Sequence, residues 1–292
     1  MAFLVPIVVG VLMVSVGMSL SLQELVGSLR RLTWLAWLRM LLATFVIPAL
    51  IALLLARVFR LSRVELAGIF MVGVAPGAPL LTRNLARKGF DMHLAASYQV
   101  WAALMIPVMI PILVAAAAKL YNREIWISPA LLLWQIALKQ FLPLGLGMVI
   151  ANVAPGWSKK SQPVINTLGN IALTAILGLV LFKLGPALKE ITPMLPIVCL
   201  LLALGCISAV WLIRLSDPVV RQTFAICNAN RHVGLALLLS GQYLHATRAV
   251  PGIACYAVIA TLVMFAYVWW QRRGAPLRKD PFAETKKSLA SS

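Results

Sequence analysis

The segment Arg221–Gly241 combines the apolar frame of a membrane-spanning helix with four polar residues at its centre. These residues are Asn228, Asn230, Arg231 and His232. An arginine at the centre of a bilayer costs at least about 2.5–3.5 kcal/mol and is rarely kept without a partner or a water-filled cavity. Its guanidinium can bind a carboxylate or sulfate through two parallel hydrogen bonds. The segment therefore predicts an anion or substrate pathway inside the membrane.

A second apolar segment is interrupted by prolines and a glycine. Pro76, Gly77 and Pro79 lie near the middle of AGIFMVGVAPGAPLLTRNLAR. Proline removes a backbone donor and clashes with the preceding turn, and in lipid such a break is tolerated only where the freed groups are buried in protein or line a cavity. A simple kink is the alternative reading of Pro76 alone. Paired interruptions in the two halves of a chain point to a substrate site at the membrane midplane. The candidate substrate contacts here are Pro76, Gly77, Thr82 and Asn84.

The composition predicts the elements that must position these residues. Hydrophobic residues make up 62% of the chain and charged residues 12%, which is too little polar surface for a soluble domain of this length. Continuous apolar runs favour helices over a β-barrel. We therefore predict an all-α polytopic membrane protein with about nine transmembrane helices. The predicted spans are 2–20, 33–57, 66–86, 93–118, 130–152, 164–187, 193–214, 221–241 and 249–270.

The basic residues predict the orientation of the chain. The net charge is +18, but Lys and Arg cluster between the spans, so lipid headgroups explain them better than nucleic acid does. They are nearly twice as frequent after odd-numbered spans and in the tail as on the other side. This bias predicts a cytoplasmic C-terminus and an external N-terminus in a bacterial inner membrane. The run from Ala2 to Leu20 lacks a positive n-region, so we expect it to be retained as the first span. The tail 271–292 is predicted to be disordered.

The remaining reactive side chains give little support for an enzyme. All eight acidic residues fall in connectors, at span ends or in the tail, so no carboxylate is expected at mid-membrane. Neither a Ser-His-Asp set nor a metal-binding cluster occurs within the spans. The four cysteines lie in apolar runs without a CxxC pair and are interpreted as buried apolar residues.

Three motifs resemble the bile acid:sodium symporter family, of which the chain is identified as a divergent, bacterial-type member. They are GMSLSLQEL (17–25), VFRLSRVELAGIFMVGVAPGAPLLTRNLARKGFD (58–91) and RQTFAICNANRHVGLALLL (221–239). The resemblance implies two inverted repeats, with the first helix of repeat one missing, and two crossed discontinuous helices. It also implies one transmembrane domain over 1–270, with a core (about 33–118 and 193–270) and a panel (about 2–20 and 130–187). Ser97 and Gln99 fall where family members have coordinating side chains.

The chain departs from the family at the positions that supply oxygen ligands for sodium. These positions fall near Leu81, Thr82, Cys227 and Arg231. Sodium needs oxygen ligands, and here a guanidinium takes the place of one, which argues against sodium coupling. Arg231 could act as a tethered cation that stabilises the crossed helix ends, pair with the substrate, or bind backbone carbonyls in a purely structural role. His232 could couple proton movement or act as a neutral hydrogen-bond donor.

These observations predict a secondary transporter of small organic anions that works by alternating access and needs no cofactor. Within the same fold, the alternative is a sodium-independent or proton-linked carrier or exporter. A membrane sensor that has lost transport is the alternative from another class. The sequence leaves the substrate, the direction of transport and the oligomeric state open.

Overall fold

A computed structural model describes residues 4–19, 34–77, 92–120, 128–183, 192–214, 218–243 and 249–274. No strand occurs within these ranges, which confirms the predicted all-α membrane protein. The helices are α1 (Leu4–Met18), α2 (Trp34–Leu41), α3 (Ile47–Val58), α4 (Arg63–Val74), α5 (Met92–Leu120), α6 (Pro129–Ile136), α7 (Leu142–Val153), α8 (Pro155–Lys183), α9 (Leu195–Ser208), α10 (Pro218–Ala229), α11 (Val233–Tyr243) and α12 (Val250–Gly274).

Five stretches of the described chain are long and apolar enough to cross a membrane. They are Trp37–Val58, Trp101–Leu120, Ala130–Val153, Leu195–Ile213 and Val250–Gln271. Large apolar side chains on them, such as Leu54, Trp134 and Leu262, are exposed. Apolar surface of this extent is what lipid tails cover. The total of nine spans stays a prediction.

Two long helices pass through a turn of π-helix, and a proline follows each turn. Leu42–Val46 joins α2 to α3 and precedes Pro48, and Ala137–Phe141 joins α6 to α7 and precedes Pro143. Proline has no N–H to donate to the carbonyl four or five residues earlier. The helix widens by one residue at such a point, and carbonyl oxygens there become available to other partners.

Helix α1 packs against α7 and α8. A Cβ added to Gly17 would lie 2.1 Å from the Leu144 carbonyl oxygen, so the backbones of α1 and α7 touch. Small residues allow such close approach between membrane helices, whose association depends on van der Waals packing. Toward α8, Ser15 Oγ donates to the Gln162 carbonyl oxygen at 3.2 Å, and Ser158 Oγ donates to the Met18 carbonyl oxygen at 3.1 Å.

The start of α4 is tied to the segment before α9 by Glu65, whose side chain is buried. Its carboxylate accepts from the backbone N–H and hydroxyl of Ser62, in a capping box, and from the N–H and hydroxyl of Thr192, each at 2.8–2.9 Å. Burial raises the pKa of Glu65, but the bonds from Thr192 and Ser62 outweigh it and hold the pKa below its usual value. The charged carboxylate therefore joins two elements that are distant in sequence.

Candidate functional site: the crossing of two interrupted helices

The first interruption begins where α4 ends at Val74. Ala75, Pro76 and Gly77 leave the helix, and Gly77 has a φ of +65°. A side chain at that φ would be strained, which explains the glycine. Thr82 and Asn84, and the family sodium position near Leu81, lie outside the described residues.

The second interruption separates α10 from α11. Asn230, Arg231 and His232 are not helical, and the backbone N–H of His232 donates to the Ala75 carbonyl oxygen at 2.9 Å. This bond joins the two interruptions, so the two discontinuous helices meet where each loses its helical hydrogen bonds. Backbone groups that a break frees must find hydrogen-bond partners within the membrane. Here the N–H freed at the second interruption and the carbonyl freed at the first bind each other.

The side chain of Arg231 is directed into the protein, and 1% of it is exposed. One terminal nitrogen (Nη1) donates to the Thr44 carbonyl oxygen at 2.8 Å, and the other (Nη2) donates to Cys206 Sγ at 3.4 Å. Its Nε has no hydrogen-bond partner among the described residues. The guanidinium therefore connects the π-helical turn after α2, helix α9 and the second interruption.

Asn228 is fully buried in the last turn of α10. Its Nδ2 donates to the Cys206 carbonyl oxygen at 2.7 Å and to the Ala43 carbonyl oxygen at 3.0 Å. Its Oδ1 accepts from the hydroxyl of Tyr98 at 3.4 Å. Asn228 thus repeats the pattern of Arg231, because both side chains donate to the same π-helical turn.

Pro48 explains why carbonyl groups in that turn accept from side chains. The turn makes an i→i+5 bond from the Ile47 N–H to the Leu42 carbonyl. The next donor along the chain would be residue 48, which is proline and has none. The carbonyls of Ala43 and Thr44 lie five and four residues before it and receive Asn228 and Arg231.

The hydrogen bonds of His232 determine which ring nitrogen carries the proton. The backbone N–H of Leu235, in the first turn of α11, donates to His232 Nδ1 at 3.0 Å. Because Nδ1 accepts, the neutral ring carries its proton on Nε2. That nitrogen is buried and has no partner among the described residues. A proton on Nδ1 would point at the Leu235 N–H, so that two hydrogen-bond donors would face each other. This argues against His232 as a proton carrier.

The ring of His232 lies beside α1. A Cβ added to Gly234 would be 3.0 Å from Val9 Cγ2 and 3.4 Å from His232 Cε1. Gly234 therefore allows the first turn of α11 to approach α1, with the imidazole at the edge of that contact. The ring of His232 and the guanidinium of Arg231 thus have different neighbours, although the two residues are adjacent in sequence.

The other predicted contacts are placed less fully. Ser97 and Gln99 lie on α5, and their side chains are outside the described part of the chain. Asn230 is partly exposed, and its backbone N–H donates to the Ile226 carbonyl oxygen at 3.0 Å. Cys227 is buried in α10.

Two tyrosines that the sequence motifs did not indicate also belong to the crossing. Tyr256, on α12, donates its hydroxyl to the Ala229 carbonyl oxygen at 2.7 Å, at the end of α10. Tyr98, on α5, donates to Asn228 and packs edge-on against Phe224 at 4.8 Å between ring centroids. A buried tyrosine hydroxyl needs a hydrogen-bond partner, so a tyrosine within an apolar span is a usable sequence signal.

The described residues at the crossing do not form a good sodium site. Sodium favours oxygen ligands and a compensating negative charge, but the one carboxylate of the described residues is Glu65, about 15 Å along α4 from Ala75. Among the described residues, the nearest fixed charge is that of Arg231. Two unit positive charges 5 Å apart repel by about 3 kcal/mol at an effective dielectric constant of about 20. The donor set therefore does not fit a bound cation.

Comparison with known proteins gives two matches. Residues 6–191, more than half of the chain, match the model of the sodium bile acid symporter family. The chain is also 24% identical over 272 residues to a protein of Oryza sativa subsp. japonica named probable sodium/metabolite cotransporter BASS3, chloroplastic. That alignment covers 89% of this chain and 62% of the rice protein, so the chain spans less than two thirds of its relative.

Proposed function

Since this chain belongs to the sodium bile acid symporter family, we propose that it moves small organic anions across its membrane by alternating access. Membership confirms the family predicted from the three sequence motifs and makes the protein a membrane transporter. That the chain is of bacterial type, lies in an inner membrane and has a cytoplasmic C-terminus belongs to the proposal, on the basis of its basic connectors.

The observation that carries the proposed substrate class is the buried positive charge of Arg231. It donates to the Thr44 carbonyl oxygen and to Cys206 Sγ, and no carboxylate accompanies it among the described residues of the crossing. The field of a buried cation without a described carboxylate beside it favours a nearby anion in a low-dielectric interior. The N-terminus of α11 adds partial positive charge from its backbone N–H groups.

His232 is the direct anion donor in this proposal. It offers a buried Nε2–H without a described partner, and its ring lies beside the contact between Gly234 and Val9. We place the substrate between α1 and α11, where movement of α1 would uncover the Nε2–H. Arg231 would attract the anion through its electric field and without a direct hydrogen bond, because its terminal nitrogens already donate to Thr44 and Cys206.

The packing is compatible with two bodies that move relative to each other. Helix α1 packs on α7 and α8, which would form the panel with α6, whereas α9 packs on α3, α10 and α12, which would belong to the core. The contact between Val9 and Gly234 would lie on the boundary. We therefore assign spans one, five and six to the panel and the remaining spans to the core.

The proposal is tested by ligand-induced thermal stabilisation of the purified protein and by uptake into proteoliposomes. The probes are carboxylates and sulfates of graded apolar size, each paired with its neutral amide or alcohol. Stabilisation and uptake by anions, and not by their neutral analogues, are expected. Binding without uptake would favour the sensor, and no preference for anions would refute the assigned substrate class.

His232→Asn tests the proposed donor. The asparagine Oδ1 can still accept from the Leu235 N–H at the start of α11, but Nε2 is lost. A hydrogen bond to a charged group contributes about 1.5–3 kcal/mol, so anion affinity should fall by at least about tenfold while the unfolding midpoint of the free protein barely changes. Asn152→Ala, which changes an exposed asparagine near the end of α7, is the control and should leave anion affinity unchanged.

A further inference from the structure

The crossing gathers backbone carbonyl oxygens from four parts of the chain. They belong to Ala43 and Thr44 in the π-helical turn, Cys206 in α9, Ala75 after α4 and Ala229 at the end of α10. Ala75 and Ala229 lie at the C-terminal ends of interrupted helices, where the helix dipole places partial negative charge. A cluster of such oxygens within a membrane requires donors and favours a positive charge.

The protein itself supplies the donors to every one of these oxygens. Asn228 donates to the oxygens of Ala43 and Cys206. Tyr256 donates to the Ala229 oxygen, and the backbone N–H of His232 donates to the Ala75 oxygen. Arg231 takes the Thr44 oxygen and is the group among these donors that carries a full charge. Its guanidinium binds the Thr44 oxygen and Cys206 Sγ, and its positive charge offsets the partial negative charge at the nearby helix ends, as a bound cation would.

Relatives of this chain carry sodium in their family name and in the printed name of the rice protein. The part of the crossing that the structure describes does not fit sodium, because donors already engage its oxygens and a guanidinium lies among them. We propose that Arg231 is a tethered cation that replaces a bound sodium ion at the crossing, so that folding and anion binding do not depend on Na⁺. This inference rests on the proposed transport function for its anion-binding part only.

The first experiment measures the unfolding midpoint of the purified full chain in NaCl and in choline chloride at equal ionic strength. The parent protein should have the same midpoint in both salts. An anion that stabilises it should do so with the same Kd in both, within about twofold. A parent protein that needs Na⁺ for stability or for anion binding would overturn the inference.

The second experiment compares Arg231→Lys with Arg231→Gln in choline chloride. Lysine keeps the charge and can reach one carbonyl, whereas glutamine is neutral. Loss of a buried charged hydrogen bond should lower the midpoint of Arg231→Gln by about 5 °C or more, and lysine should restore at least half of that loss. Arg39→Gln, which neutralises a partly exposed arginine on α2, is the matched control and should change the midpoint by less than about 2 °C.

The third measurement titrates Na⁺ against Arg231→Gln. Removing the guanidinium leaves the Thr44 oxygen and its neighbours without a cation, so Na⁺ should raise the midpoint of this variant and leave that of the parent unchanged. An Arg231→Gln protein as stable as the parent in choline chloride would show that no cation is needed there and would refute the role of Arg231. None of these midpoints requires a substrate, so a failed anion screen would count against the proposed function and leave this inference to its own test.

Discussion

Two glycines on α7 are predicted to respond to alanine substitution with opposite signs. Gly145 and Gly147 are two residues apart, so they point about 200° away from each other around the helix. A Cβ at Gly147 would lie 2.1 Å from the Val14 carbonyl oxygen and 2.9 Å from Gly17 Cα, both on α1. A Cβ at Gly145 meets no atom within 4 Å.

The magnitude follows from these distances. A Cβ and a carbonyl oxygen need about 3.2 Å, so Gly147→Ala must push α1 and α7 apart by about 1 Å, and a gap of that size forfeits a quarter to a half of each contact energy. Overpacking of this kind costs about 1–3 kcal/mol. Both obstacles are backbone atoms, which cannot rotate away, so we expect the upper half of that range. Alanine in a helix recovers about 0.5–1 kcal/mol, which leaves a net loss of about 2 kcal/mol. Gly145→Ala causes no overpacking, so it should stabilise the protein by about 0.5–1 kcal/mol.

Thermal unfolding in detergent measures both effects. Cys199, Cys206 and Cys227 are buried in the folded protein, so a thiol-reactive dye reports their exposure. At about 2–4 °C per kcal/mol for a chain of this size, Gly147→Ala should lower the midpoint by about 4–8 °C. Gly145→Ala should raise it by about 1–4 °C. Equal shifts for the two variants, or a neutral Gly147→Ala, would refute the close contact between α1 and α7.

Three further substitutions test the crossing and the clamp of α4. Asn228→Ala removes the donor to two carbonyls and should lower the free energy of unfolding by about 2–4 kcal/mol. Asn230→Ala should lower it by less than about 0.5 kcal/mol. Similar losses for the two variants would contradict the hydrogen bonds described for Asn228. Tyr256→Phe deletes one hydrogen bond and should lower the free energy of unfolding in denaturant by about 1 kcal/mol. An unchanged midpoint would contradict the hydrogen bond between Tyr256 and α10. Glu65→Gln should destabilise the protein at pH 7. Because the folded-state pKa of Glu65 is lowered, its contribution is present above the unfolded-state value near 4.5 and is lost as the pH falls through the folded-state pKa. A difference in midpoint between parent and variant that does not shrink from pH 6 to pH 3.5 would argue against a charged clamp.

The positions of the two interruptions could be predicted from sequence because they depend on local chemistry, whereas their crossing was implied only by the family resemblance. Pro76 and Gly77 end α4 by removing a donor and adopting a positive φ, and the polar run from Asn228 to His232 marks the second interruption. These signals lie within one helix turn of the structures that they produce. Neighbouring residues alone determine them, so a single sequence contains what is needed.

The partners of Arg231 and Asn228 could not be predicted in the same way. Arg231 donates to Thr44, which is 187 residues away along the chain, and Asn228 donates to Ala43, 185 residues away. Their acceptors are backbone carbonyls, which every residue has, so side-chain identity does not indicate which ones are used. Pro48 was the local signal for open carbonyls in the turn before it.

The arrangement around the second interruption lets one chain segment do two separate things. Outside a helix, adjacent side chains need not share a face, and here Arg231 bonds to the α2–α3 turn and α9 while the ring of His232 lies beside Gly234 and α1. A cation tethered on the first side would not occupy the space that a substrate needs on the second. Replacing a mobile ion by a side chain at this place would therefore change what the carrier is coupled to while leaving its substrate surface intact. A sodium-dependent relative and this chain would then differ in whether folding and anion binding need Na⁺, which is the distinction that the choline experiments measure.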